Sequence, residues 1–142
     1  MRKIFIYLML MFAVNLSASE IKWAKDFDSG IKEATRFNKP VFFVSSRHTC
    51  KYCVILEKTA FSDKKVIDTL NNNFVSIISY SDEKDYMPKG LWRPGTPALW
   101  FLKSNGEPMY EALMGALSSS DLLKAIDIVK KEFEKQQGKK IQ

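Results

Sequence analysis

The spacing of apolar positions changes along the chain, and each change marks an element. Residues 4–14 are apolar without a break, behind the basic start Met1-Arg2-Lys3, and Asn15-Leu16-Ser17-Ala18-Ser19 follows with small residues. Such a run is too short to span a bilayer comfortably, and the order basic, apolar, small is that of a secretory signal cleaved near Ala18 or Ser19. Residues 1–18 are therefore expected to be a signal peptide that directs residues 19–142 to the periplasm or another exported location. Retention of the run as an N-terminal anchor is the alternative. No cysteine follows it to carry a lipid.

Beyond this segment, residues 28–37 place Ile31, Ala34 and Phe37 at helical spacing, and Asn38-Lys39-Pro40 stops the helix. Residues 41–44, Val-Phe-Phe-Val, are apolar on both faces, as in a central strand covered on both sides. Residues 45–49 form a polar turn into Cys50. A helix is expected to start near Cys50 and run through Val54, Ile55 and Leu56. It bends at 60–62, resumes over 64–70 behind a Ser62-Asp63 cap, and closes at Asn71-Asn72-Asn73.

Residues 74–79 read as a second buried strand. The stretch 81–95 holds Pro88, Gly90, Pro94 and Gly95 and is expected to be an exposed loop. A third strand over 97–103 turns at Asn105-Gly106 into a returning strand over 109–114. Ser118-Ser119-Ser120 caps a last helix whose Leu122, Ile126, Val129 and Phe133 share a face, and a polar tail from about residue 134 is expected to fray. No internal repeat interrupts this order.

Composition narrows the picture. The 142 residues, 46% of them hydrophobic, suit one folded domain. The formal charge of +6 falls to +4 when Arg2 and Lys3 leave with the signal. The remaining lysines are scattered, with no arginine-rich stripe interleaved with aromatics, so nucleic acid is not an expected partner.

The chain has two cysteines, and they stand three positions apart as Cys50-Lys51-Tyr52-Cys53. Thiols at that spacing lie on one helical face and can close a small disulfide. A thiol at a helix N-terminus gains thiolate character from the positive end of the macrodipole. A structural staple is a poorer reading, because so small a loop removes little chain entropy. A metal site built on His48, Cys50 and Cys53 lacks a fourth ligand, so no metal and no other cofactor is expected. Val54 follows Cys53 where haem attachment requires histidine.

The dithiol after a buried strand, with Gly95-Thr96-Pro97 opening a strand pair turned at Asn105-Gly106, resembles the thioredoxin superfamily. Trp23-Ala24-Lys25-Asp26-Phe27, Asn38-Lys39-Pro40-Val41 and Glu57-Lys58-Thr59-Ala60-Phe61-Ser62-Asp63 look like the segments flanking the site in its exported members. The C-terminal domain of the bacterial transmembrane thiol-disulfide interchange protein is one such relative. The resemblance covers about residues 22–133. It implies an α/β, thioredoxin-like fold with a central mixed β-sheet flanked by helices. It also implies a cis peptide bond before Pro97, with Thr96 and Pro97 against the dithiol and the Thr96 backbone free to pair with an extended substrate.

Within that frame Cys50 is expected to be the nucleophile and Cys53, one turn deeper, the resolving thiol. Tyr52 is a candidate for the substrate groove, and His48 and Lys51 are weaker candidates for lowering the Cys50 pKa. Three features depart from the usual pattern. Thr49 replaces the tryptophan before the first cysteine, Val44 replaces a buried acid, and Lys51-Tyr52 replaces Gly-Pro. They leave the direction of electron flow open.

The resemblance thus implies an exported thiol-disulfide oxidoreductase that reduces protein disulfides. Its partners would be disulfide-containing exported proteins and a membrane or soluble redox partner that recharges it. A disulfide oxidase or isomerase, or a non-catalytic thioredoxin-fold interaction module, are the competing readings.

Overall fold

The computed structural model describes residues 19–140. The expected signal peptide, residues 1–18, lies outside the described residues. Helix α1 (Phe27–Phe37) leads into β1 (Val41–Ser46), followed by α2 (Lys51–Lys58), a 3-10 turn (Ala60–Ser62), α3 (Lys64–Asn73) and β2 (Val75–Tyr80). Two further 3-10 turns (Ser81–Glu83 and Lys89–Leu91) lie in the long connection to β3 (Ala98–Leu102). Strand β4 (Leu113–Met114) and helix α4 (Ser119–Lys140) close the chain.

The four strands lie in the order β2-β1-β3-β4. Strand β1 runs parallel to β2 and antiparallel to β3, and β3 is antiparallel to β4, so the sheet is mixed. Alternation along β1 sends Phe42 and Val44 to one face and Val41 and Phe43 to the other. On the first face they meet Leu56 of α2, Val66, Ile67 and Leu70 of α3, and Leu122, Ile126 and Val129 of α4. On the second face they meet Ala34 of α1 with Ile77, Trp100 and Leu102. Both faces of β1 are therefore dry, which is why its apolar run shows no alternation.

Side-chain oxygens set the helix starts. Asp26 accepts from the Ser29 amide, Asp63 accepts from the Lys65 and Val66 amides, and Ser118 accepts from the Asp121 amide. Asn38, left-handed at φ 50°, ends α1 by donating its backbone N–H to Thr35 and offering the chain a turn into β1.

Several boundaries differ from the sequence pattern. Strand β1 continues through Ser45 and Ser46, which are buried rather than part of a polar turn. Ladder pairing to Ser79, Tyr80 and Ala98 carries them. Phe37 is exposed rather than part of the buried helix face, with the Arg36 guanidinium 5.2 Å from its ring. It is the last residue of α1, beyond the point where the helix touches the sheet. The tail from residue 134 does not fray: α4 continues to Lys140.

The returning strand is shorter than the stretch 109–114. Leu102 faces Pro108, while Leu99 faces Leu113. Three steps along β3 thus match five on the return, and the extra residues bulge out before pairing resumes at Leu113. The turn itself forms as expected, with Gly106 at φ 89° and its amide bonded to the Lys103 carbonyl at 2.9 Å. Among the described residues, no helix is long and apolar enough to cross a membrane.

Candidate active site

Strand β1 ends where α2 begins, and the turn between them delivers Cys50 to the carboxyl edge of the sheet. Cys50 is the N-cap of α2: its backbone is extended, and its sulfur accepts the Cys53 amide at 3.2 Å. The amide that a helix start leaves without a partner is thus satisfied by the thiol itself. Cys50 is partly exposed, whereas Cys53, one turn on, is buried at 1% exposure.

The second wall comes from the far side of the sheet. The Thr96–Pro97 peptide bond is cis, and the Thr96 carbonyl accepts the Cys50 thiol at 3.3 Å. Pro97 is held in turn by the Gly115 amide, which donates to its carbonyl at 3.0 Å from the end of β4. The structure therefore brings Cys50, Cys53, Thr96 and Pro97 together from three separate stretches of chain.

The two thiols differ electrostatically. Desolvation alone would raise the Cys50 pKa, but hydrogen bonds outweigh it and leave the thiol below its ordinary value. The donors are the Cys53 thiol, the Thr96 side chain and the Cys53 and Tyr52 amides. For Cys53, burial pushes the pKa up, and the hydrogen bond it gives to Cys50 raises it further. An outer thiol with enhanced thiolate character stands over an inner thiol kept protonated. That asymmetry suits sequential thiol–disulfide exchange.

The remaining sequence candidates lie around this pair. Tyr52 projects into solvent, 57% exposed, with the Lys51 ammonium 6.0 Å from its ring. His48 is exposed, and its ring stacks on Tyr80 at 3.9 Å while Nε2 meets Glu83 at 2.6 Å. Trp92, also exposed, lines a groove of about 260 Å³ with Arg47, Met87, Gly95 and Thr96. Arg93 reaches the same groove, but its guanidinium bonds Glu111 at 2.6 Å and lies over the Trp100 ring. Val44 is buried and apolar, so no acid occupies that position under the dithiol. Among the described residues, no group of three or more His, Cys, Asp or Glu side chains gathers to hold a metal ion.

Sequence reasoning passed over two polar groups beside Cys53. Glu57 follows it by one turn on α2 and accepts the Tyr80 phenol at 2.9 Å. The four-residue spacing from Cys53 was the available signal for Glu57. Tyr80 is brought in by strand pairing, and nothing local marks it.

Comparison with known proteins places this geometry. The chain aligns with anterior gradient protein 3 of Mus musculus at 23% identity over 77 residues, 53% of this chain and 47% of that protein. It thus spans about half the length of that relative, and still less of others. Among solved structures, one described as DsbH oxidoreductase superposes with a TM-score of 0.64 at 12% identity, covering 85% of this chain and 92% of that one. The oxidised C-terminal domain of DsbD from Neisseria meningitidis superposes with a TM-score of 0.56 at 16% identity, covering 70% and 89%. These likenesses show a thioredoxin-like fold. The family model described as Thioredox_DsbH, protein of unknown function, DUF255, matches residues 11–139, and the chain belongs to that family.

Proposed function

We propose that the protein is an exported reductase of protein disulfides, with Cys50 as nucleophile and Cys53 as resolving thiol. The Cys50 thiolate attacks one sulfur of a substrate disulfide, forming a mixed disulfide and releasing the first substrate thiolate. The Cys53 thiolate then attacks the Cys50 sulfur, closing the Cys50–Cys53 disulfide and releasing the second substrate thiolate. Two electrons pass to the substrate, and a dithiol redox partner, membrane-bound or soluble, restores the pair. Disulfide-containing exported proteins are the substrates, and residues 1–18 are the cleaved signal that takes the chain to the periplasm.

The observation that carries this reading is the division between a partly exposed, hydrogen-bonded Cys50 and a buried, protonated Cys53. Thr96 and Pro97 offer an extended substrate a backbone edge beside the attacking sulfur, and exposed Tyr52 adds an apolar flank. The reductive direction draws support from the donors at Cys50. They are neutral amides and hydroxyl or thiol groups, not a cation. A reduced form strongly stabilised by positive charge would make an oxidant.

Purified residues 19–142 should catalyse dithiothreitol-driven reduction of insulin, and Cys50→Ser should abolish it. An inert wild-type protein favours the interaction module. The equilibrium potential of the pair should lie nearer about −270 mV than about −120 mV, the value of a strong oxidant.

A further inference from the structure

Residues 47–50 join the end of β1 to the start of α2, and the place of the Cys50 sulfur depends on how firmly they are held. The Cys50 amide donates to the Arg47 carbonyl, which makes this stretch a β-turn with His48 at its second position. At 3.3 Å that bond is long, and Arg47 and Thr49 are exposed. The turn is therefore held weakly from within.

His48 supplies a hold from outside. Its ring lies on the Tyr80 ring, with centroids 3.9 Å apart and planes 12° from parallel. Nε2 meets Glu83 Oε1 at 2.6 Å, and the His48 backbone amide donates to Asp82 Oδ2 at 2.8 Å. All three contacts come from residues 80–83, where β2 ends and a 3-10 turn begins. That stretch is itself closed. The Tyr80 amide donates to the Asp85 carboxylate at 2.9 Å, and the Asp85 amide donates to the Tyr80 carbonyl at 3.2 Å. Register sets Ser46 beside Tyr80, so two residues later His48 reaches over the end of β2. The donors that favour the Cys50 thiolate come from Cys53, Thr96 and Tyr52, and His48 is not one of them. Its influence on the sulfur is one of placement.

We propose that His48 is a positioning residue for the first exchange step: stacked on Tyr80 and bonded to Glu83, it holds the 47–50 turn so that the Cys50 sulfur keeps its contacts with the Cys53 amide and the Thr96 carbonyl. This rests on the exchange reaction proposed above. In that step the Cys50 thiolate forms a bond to one sulfur of the substrate disulfide, and the other sulfur leaves as a thiolate. A turn that swings free takes the sulfur off its donors, which lowers the thiolate fraction. It also spreads the sulfur over orientations that cannot attack.

Iodoacetamide alkylation of Cys50, followed across a pH series by peptide mapping, reads the placement of the sulfur without a substrate. His48→Ala should slow alkylation at neutral pH roughly three- to tenfold, about the worth of one hydrogen bond, and move its pH midpoint upward. Two replacements separate placement from charge. His48→Phe keeps a ring on Tyr80 and should recover most of the loss. His48→Lys keeps a cation beside Glu83, but a flexible surface pair fixes a turn poorly, so the loss should remain. Tyr80→Leu removes the platform and should match His48→Ala, with the double variant no slower than the slower single one.

Single-turnover reduction of a peptide disulfide in a Cys53→Ser background, which stalls at the mixed disulfide, should rank the His48 variants in the same order. Alkylation at the wild-type rate in His48→Ala overturns the proposal, and so does recovery by His48→Lys but not by His48→Phe. A protein with His48 intact whose Cys50 alkylates as expected but forms no mixed disulfide overturns instead the exchange reaction.

Discussion

At Cys50 the sulfur has two duties that reinforce each other. As N-cap it accepts the Cys53 amide, and that donor favours the thiolate over the thiol. With the folded pKa lowered, the reactive fraction at neutral pH rises, and it falls as the solution is acidified through that pKa. Alkylation by iodoacetamide should therefore modify Cys50 with a pH midpoint below that of an ordinary thiol and leave buried Cys53 largely unmodified. Peptide mapping across a pH series checks both. Thr96→Val removes the hydroxyl that helps stabilise the thiolate and should slow Cys50 alkylation at neutral pH roughly two- to tenfold, the worth of one hydrogen bond. Spacing alone identified the cysteines as a reactive pair. Their unequal protonation was not legible, because it depends on burial by β1 and on Thr96, which is 46 residues from Cys50.

Elements were legible where a local cause sets them. The caps at Asp63 and Ser118 and the turn at Asn105-Gly106 work through neighbours within three residues. Asp63→Ala should therefore cost about 0.5–2 kcal/mol by urea denaturation, since the Lys65 and Val66 amides lose their shared acceptor. Where tertiary pairing sets an end, the pattern misled. Serine at 45 and 46 looks like a turn until the ladder to β2 is seen, and the stretch 109–112 looks like strand until the bulge opposite Trp100 is seen. Gly30 is a similar case. Within α1 it looks like a weak helix position, yet a Cβ there would stand 2.5 Å from Ile77 on β2. Gly30→Ala should push α1 off the sheet, lowering stability by about 1–3 kcal/mol in the same assay.

For the molecule as a whole, the two dry faces of β1 tie the site to global stability. Phe42, fully buried, contacts the rings of Trp23, Phe61 and Phe101 on the face that α2 also covers. Phe42→Ala should cost about 3–5 kcal/mol and lower the melting temperature measured by circular dichroism. The sequence by itself determined the elements, their order and the dithiol, because caps, apolar period and Cys-x-x-Cys spacing act over a few residues. It also carried the family resemblance that implied the cis bond before Pro97. Only the tertiary structure decided what surrounds the sulfurs: Thr96 over Cys50, and Ser46, Tyr80 and Glu57 beside Cys53. Those neighbours arrive through strand register and helix placement, and the local sequence around Cys50 carries no trace of them.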